Sequence, residues 1–159
     1  MKTLVVYYSR TGVTRTVAEA LAKELQGDLE EIVDLKKRSG ALGWFGSAGD
    51  AMLKRRTGIG PAKKDPAGYD LVVIGTPIWA FTMTPAVRTY LTAHREALKR
   101  VAFFCTMGGS GGARAFRQMG KIVGRAPVAT LALIEKDVKA NQHGERVTDF
   151  ASRLAAAPA

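Results

Sequence analysis

The sequence contains one cysteine, two histidines and no apolar run approaching the roughly 20 residues that span a bilayer. A single cysteine cannot form an internal disulfide, and the two histidines have no acidic or cysteine pattern that would complete a metal site. The first residues lack the basic stretch, apolar core and cleavage site of a secretory signal. We therefore expect a cytoplasmic protein without a disulfide scaffold, a membrane span or a bound metal.

Acidic residues are also scarce, with 14 Asp and Glu against 24 Lys and Arg and a net charge of +10. Residues 36–64 hold eight basic side chains against Asp50 alone, a net charge of +7. Such a surface would steer an acidic partner protein or an anionic small molecule. Nucleic acid and anionic membrane are disfavoured as partners, because the segment has no aromatic-interleaved surface or known binding module.

The chain of 159 residues, 47% hydrophobic and 24% charged, has ordinary values for one globular domain. Apolar strand patterns alternate with helical periodicity, which indicates an α/β fold with a doubly wound parallel sheet. The predicted strands are 3–8, 29–35, 69–75, 101–105 and 128–134. Helices are predicted from Thr14, from Thr84 as N-cap with Pro85 after it, over 113–123 and over about 145–156. Residues 35–68 are predicted to form a basic, glycine-rich insertion in a single domain 1–159, with a short helix at 48–56.

A hydroxyl-rich turn follows the first strand, with the pattern Ser9-x-Thr11-Gly12-x-Thr14. Hydroxyls, a glycine and the unpaired N–H groups of a helix start together suit a phosphate. No lysine follows Gly12, so the turn is not a nucleotide triphosphatase loop, and a dinucleotide fingerprint would need two further glycines. An ordinary Ser/Thr-rich turn that caps a helix is the alternative interpretation.

Two more loops of unusual composition follow the third and fourth predicted strands, at 76–83 and 106–112. With the strand order 2-1-3-4-5, these loops meet the first one at the carboxyl edge of the sheet, where ligands bind in such folds. Two other chemistries on this frame are excluded by their reacting residues. A receiver domain would need aspartates where Ser9 and Thr76 stand, and a tyrosine phosphatase would need an arginine at Gly111, six positions after Cys105.

The three loops, in this order on a five-stranded frame, resemble those of the flavodoxin-like family, of which this chain is a basic variant. The resemblance implies a flavodoxin-like fold with helices on both faces of the sheet and a non-covalently bound flavin mononucleotide (FMN). The implied cofactor-binding residues are Ser9, Arg10, Thr11, Gly12, Val13 and Thr14 for the phosphate, and Thr76, Pro77, Ile78, Trp79, Ala80, Phe81, Thr106, Met107, Gly108, Gly109, Gly111 and Gly112 for the ring. No catalytic side chain is implied.

Family kinship implies electron transport through the flavin to a redox partner protein, and the basic segment predicts that this partner has an acidic surface. The alternative is an NAD(P)H-dependent oxidoreductase that reduces quinones or similar small acceptors. The chain departs from well-known flavodoxins in three respects: it is basic, its third loop has Met107 instead of an aromatic residue, and residues 36–64 form a long connection.

Six other residues have alternative interpretations. Cys105, at the end of an apolar strand, is predicted to be a buried structural thiol, and His94 and His143 to be surface or capping residues. Trp79 is interpreted as a flavin contact in preference to a core residue. Trp44 and Phe45 either anchor the basic segment to the core or form part of a partner or substrate surface, and both readings stay open.

Overall fold

The computed structural model describes residues 1–36 and 57–158. The strands are Thr3–Tyr7 (β1), Asp28–Glu31 (β2), Leu71–Trp79 (β3), Thr82–Met83 (β4), Val101–Met107 (β5) and Thr130–Ile134 (β6). The helices are Val13–Glu24 (α1), Pro85–His94 (α2), Gly112–Val123 (α3), Glu135–Lys139 (α4) and Gly144–Ala156 (α5), and Pro66–Gly68 forms a 3₁₀ turn.

The main sheet is parallel, with the order β2-β1-β3-β5-β6, and β4 pairs with β3 in an antiparallel hairpin. These five parallel strands are the five that the sequence pattern predicts, so the predicted order 2-1-3-4-5 and the doubly wound fold are confirmed. The order reverses between β1 and β3, which places the carboxyl ends of β1, β3 and β5 side by side.

Helices cover both faces of the sheet, which explains why β1 and β3 have continuous apolar sequences. On one face, strand residues such as Val6 and Ile74 pack with Tyr90 of α2 and Met119 of α3. On the other face, the alternate strand residues pack with α1, α4 and α5, for example through Leu21. Both clusters are buried, and they hold the strand ends that carry the loops.

The second strand is shorter than predicted, because the chain leaves the edge of β1 after Ile32, whose N–H donates to the Tyr7 carbonyl at 2.7 Å. Residues 33–35 pair instead with residues 58–60, through an antiparallel bridge between Asp34 and Ile59. Val33 and Leu35 are therefore exposed, although their apolar side chains made the sequence pattern look like a continuous strand.

Further differences lie at element ends and in one added helix. The fourth predicted strand, β5, runs on to Met107, where a loop from residue 106 is predicted. The third strand runs on to Trp79 and turns back through β4, where a loop from residue 76 is predicted. The last strand begins at Thr130 instead of residue 128, and the short helix α4 has no sequence prediction. By contrast, Thr84 caps α2 as predicted, since its hydroxyl accepts from the Val87 N–H at 3.5 Å, with Pro85 at the first helical position.

The predicted helix at 48–56 and the residues Trp44 and Phe45 lie outside the described residues, as does most of the basic segment. The single-domain organisation with an insertion at 35–68 stays a prediction. In residues 1–36 and 57–158, no helix has the length and apolar character needed to cross a membrane.

Candidate functional site

Three loops meet at the carboxyl edge of the sheet, after β1, β3 and β5. The hydroxyls of Thr14 and Thr106 lie 2.8 Å apart and join the first loop to the third. The rings of Tyr8 and Trp79 meet edge to face with centroids 5.6 Å apart and join the first loop to the second. The predicted convergence of the loops is therefore present in the structure.

The first loop presents a helix start without a side-chain cap. Gly12 occupies the N-cap of α1 in the left-handed conformation, with φ of 93°, and its N–H donates to Ser9 Oγ at 3.1 Å. The first turn of α1 contains no acidic residue. Because the helix dipole and the first N–H groups favour negative charge, this loop can hold an anion with N–H donors and the Ser9 hydroxyl.

The hydroxyls of the first loop have different surroundings. Thr11 is exposed, whereas Thr14 is only 1% exposed and its hydroxyl contacts Thr106. Val13 is the first residue of α1, and its side chain is buried in the core, so only its backbone is available to the loop. Thr11 and Ser9 are thus placed to contact a ligand through their side chains, and Thr14 holds the first and third loops together.

Arg10 is exposed, but its guanidinium lies over the Trp79 ring, 5.3 Å from the centroid. This cation–π contact keeps a positive charge at the junction of the first two loops. Trp79 is half-buried, contacts both Arg10 and Tyr8, and packs against the core cluster from the rim of the site. Sequence reasoning did not select Tyr8, which belongs to the apolar strand pattern and has no signal that separates it from core residues.

Thr76 and Pro77 lie within β3 and are buried, in contrast to the loop that was predicted from residue 76. The Thr76 hydroxyl donates to the Pro77 carbonyl at 2.8 Å and accepts from the Thr84 N–H at 3.1 Å. These hydrogen bonds therefore join β3 to Thr84, the residue that follows β4 of the hairpin. Gly75 also lies within β3. A Cβ there would lie 2.0 Å from Cζ of Phe104, so this strand position requires glycine.

The turn of the β3–β4 hairpin consists of Ala80 and Phe81, with φ of 48° and 62°. Positive φ at both central residues is the pattern of a type I′ hairpin turn, where Asn and Gly are the usual residues. The Phe81 side chain is 59% exposed, which is unusual for a large aromatic residue. Strained backbone of this kind is concentrated at functional sites, and here it presents an aromatic ring at the rim.

The third loop packs against this turn because Gly111 has no side chain. A Cβ on Gly111 would lie 2.8 Å from the Phe81 Cα and 2.8 Å from Cγ2 of Ile78. Gly111 also adopts φ of 106° as the N-cap of α3, whose first turn is uncapped and free of acidic residues, like that of α1. Gly108 and Gly109 are exposed, with open space around their Cα atoms, so a planar ligand can approach their backbone closely.

A cavity of about 420 Å³ opens on the β2 side of the first loop. Its lining includes two acidic residues, but both are engaged by other groups. Glu31 accepts two hydrogen bonds from Arg15 at 2.7 Å, and Asp34 Oδ1 accepts from the Thr57 hydroxyl at 3.0 Å. The ion pair raises the pKa of Arg15, so the guanidinium stays charged.

In the described part of the chain, Cys105, His94 and His143 make no recorded side-chain hydrogen bond to the three loops. Cys105 is buried, and burial raises the pKa of its thiol to about 12, which keeps it protonated and fits the predicted structural role. His94 packs against Tyr90, and His143 is buried at the N-cap position of α5 without a capping hydrogen bond from its side chain. The described residues contain no group of three potential metal ligands.

Sequence reasoning also missed a cluster just behind the hairpin. The Thr82 hydroxyl and the Arg88 guanidinium both donate to Oε1 of Gln118. Arg88 and Gln118 belong to two different helices and are separated by 30 positions, so no motif connects them in the sequence. Their proximity depends on how α2 and α3 pack.

A family model described as flavodoxin matches residues 2–146. No curated protein gives a significant match to the chain.

Several solved flavoproteins have the same architecture. That of Lactobacillus acidophilus NCFM, solved in complex with FMN, has 22% identity and a TM-score of 0.73 over 87% of this chain and 97% of that chain. A flavoprotein of Bacteroides uniformis ATCC 8492 has 26% identity and a TM-score of 0.76 over 95% and 97% of the two chains. One from Bacteroides eggerthii DSM 20697 has 29% identity and a TM-score of 0.71 over 87% and 94%. Since the family model covers nearly the whole chain, this protein belongs to the flavodoxin family.

Proposed function

We propose that this protein binds FMN non-covalently in the three-loop site and transfers electrons through it. The observation that carries the proposal is the arrangement of two uncapped helix starts without acidic first-turn residues, on either side of an aromatic hairpin. The residues fit the cofactor: the first loop offers donors for a phosphate, and the glycines of the third loop leave room for a flat ring. The similar flavoprotein of Lactobacillus acidophilus, which holds FMN, supports the same assignment.

The chain's own residues have three roles in this proposal. Ser9, Thr11 and the N–H groups at the start of α1 bind the phosphate, and Arg10 adds positive charge. Tyr8 and Trp79 form an apolar border for the ring and exclude water from it. FMN supplies the electron chemistry, and no side chain has to form a covalent bond or transfer a proton.

Thr11→Ala tests the phosphate assignment directly. The exposed hydroxyl contacts the phosphate in this proposal, and loss of a hydrogen bond to a charged group is worth roughly 2 kcal/mol, so the Kd for FMN should rise more than tenfold. Quenching of FMN fluorescence on titration with protein measures the Kd. The double variant Thr11→Ala/Thr14→Ala is less informative, because loss of the Thr14 hydroxyl also breaks the buried contact with Thr106.

Thr16→Ala is the matched control, since it removes the same atoms one turn into α1. The Thr16 hydroxyl donates to the Gly12 carbonyl at 3.1 Å and is occupied within the helix. FMN affinity should change little in this variant. Equal affinity of the wild-type protein and Thr11→Ala would place the phosphate elsewhere.

The second candidate function is reduction of quinones or similar small acceptors by NAD(P)H. The exposed ring of Phe81 favours it, because a flat acceptor can stack on an aromatic side chain at the rim. The positive charge at Arg10 and the two helix starts would also attract an anionic nicotinamide cofactor. Steady-state oxidation of NADPH with and without a quinone separates an enzyme from a carrier that needs a protein partner.

A further inference from the structure

Arg88 is a buried cation for which the structure shows no counter-charge. It lies in α2, and the residue is only 9% exposed. Its Nε makes no hydrogen bond, and one terminal nitrogen donates to Oε1 of Gln118 at 3.5 Å, a weak contact. No ion pair in the described ranges includes Arg88.

The groups around the guanidinium leave donors unused. Oε1 of Gln118 accepts from both Arg88 and the Thr82 hydroxyl, so the amide NH₂ of Gln118 remains as a second donor beside Arg88. Burial lowers the pKa of Arg88 from its ordinary value, and none of the acidic residues in 1–36 and 57–158 forms an ion pair with it. A cluster of donors without a carboxylate has the chemistry of an oxyanion site.

An unpaired charge in a buried position destabilises a fold, and proteins usually pair such a group. Arg88 also contrasts with Arg15, which binds Glu31 through two hydrogen bonds although it is exposed. Among the described residues, the ion pair of Arg15 thus lies where solvent makes it weak, and the guanidinium of Arg88 has no recorded carboxylate partner where burial would make pairing strong. A bound anion would supply such a partner.

The cluster lies directly behind the hairpin that borders the candidate flavin site. Thr82 pairs with Trp79 across the hairpin, and it follows the exposed Phe81 in the chain. A small molecule that stacks at the rim could therefore extend a charged group toward Arg88. We propose that Arg88 and Gln118, supported by Thr82, bind the carboxylate, phosphate or sulfonate group of a small electron acceptor. The oxyanion site stands on its own contacts, and its assignment to an acceptor rests on the proposed function.

Anion-dependent thermal stability tests the site without any use of the flavin reaction. The unfolding midpoint is measured in sodium phosphate and in sodium chloride at equal ionic strength, for the wild-type protein, Arg88→Met and Arg117→Met, each with saturating FMN so that the phosphate loop at 9–14 is already occupied. Arg117 is an exposed residue of α3 beside Gln118, so its variant removes the same charge without touching the cluster. Phosphate should raise the midpoint of the wild-type protein and of Arg117→Met, and this gain should disappear in Arg88→Met. An equal gain in all three proteins overturns the site.

Gln118→Glu provides a second, nearly isosteric test that does not depend on Arg88→Met folding well. The new carboxylate would supply the missing counter-charge, so the midpoint in chloride should rise and the response to phosphate should disappear. A variant that is less stable in chloride and still responds to phosphate would contradict an anion site at Arg88.

The source of the oxyanion is distinguished with two quinones, 1,4-naphthoquinone-2-sulfonate and the uncharged menadione. When the anaerobically photoreduced FMN-loaded protein is reoxidised by each quinone in a stopped-flow experiment, electrons pass from the reduced flavin to the quinone. Arg88→Met should raise the half-saturating concentration of the sulfonate roughly tenfold and leave that of menadione unchanged, the loss expected for one charge-assisted hydrogen bond. Loss of the phosphate response without this selective effect would overturn the acceptor assignment and leave free phosphate as the ligand. Failure of the proposed function would appear separately, as absence of FMN binding to the unaltered chain.

Discussion

The site builds left-handed backbone in two ways. Gly12 and Gly111 adopt φ of 93° and 106° at the starts of α1 and α3, whereas the hairpin turn between them uses Ala80 and Phe81 at 48° and 62°. Glycine adopts positive φ without a Cβ clash, but an ordinary residue loses roughly 1–2 kcal/mol there. The glycines thus serve positions where backbone must approach a ligand or another loop. The hairpin keeps side chains in spite of the strain, which indicates that the side chains themselves are needed at the rim.

The comparison predicts the largest effect for Gly111→Ala. The new Cβ would meet the Phe81 Cα and Cγ2 of Ile78 at 2.8 Å, and the φ of 106° adds backbone strain. We expect a loss of about 3 kcal/mol in the free energy of unfolding, from overpacking and left-handed strain together. Urea denaturation followed by circular dichroism measures it.

Gly109→Ala is the control for this change. Gly109 lies in the same loop, has no positive φ and has no atom within 4 Å of the Cβ position. The free energy of unfolding of Gly109→Ala should differ from that of the wild-type protein by less than about 0.5 kcal/mol. If the two variants lost equal stability, contact between the third loop and the hairpin turn would not be what requires glycine at position 111.

Gly12→Ala should have a smaller effect on stability and a selective effect on FMN. No atom lies within 4 Å of the Cβ position, so only the strain at φ of 93° remains, about 1 kcal/mol. Gly124→Ala is matched to it, because Gly124 has φ of 75°, equally open surroundings and a position at the end of α3. Both variants should lose similar stability, but only Gly12→Ala should weaken FMN binding in a fluorescence titration. Weaker binding in both would indicate a general loss of structure instead of a phosphate loop at Gly12.

The glycine-based part of the site could be predicted from the sequence, whereas the hairpin could not. Hydroxyls and a glycine between an apolar strand and a helical pattern have a local signal, and the same holds for the glycine-rich third loop. A two-residue turn is normally recognised by Asn-Gly or Asp-Gly, and Ala80-Phe81 has no such signal. For this reason residues 76–83 were predicted as a loop, although Thr76 and Pro77 are strand residues.

Tertiary contacts explain the other parts that sequence reasoning did not reach. The alternation of apolar strands with helical periodicity predicted a doubly wound parallel sheet, and the order 2-1-3-4-5 was chosen because it brings the three unusual loops to one edge. Val33 and Leu35 look like strand residues, but their partner is the returning chain at 58–60 and not β1. The cluster of Arg88 and Gln118 arises only when α2 and α3 pack together, so composition and spacing give no hint of it.

The smallest expected effect comes from relieving the strain in the hairpin with Ala80→Gly. Glycine accepts φ of 48° without a Cβ penalty, although it also increases the entropy of the unfolded chain, so the net gain in unfolding free energy should be only about 0.5 kcal/mol. Asn141→Gly, at φ of 57° after α4, is the comparison outside the site, and asparagine tolerates this conformation better than alanine. Ala80→Gly should therefore stabilise the protein more than Asn141→Gly, as measured by urea denaturation. Because Ala80 orients Phe81, we also expect Ala80→Gly to raise the KM for a stacked quinone while Asn141→Gly leaves it unchanged. If Ala80→Gly gained stability without any change in KM, the strain at Ala80 would have no role in binding and the Phe81 ring would not take part in it.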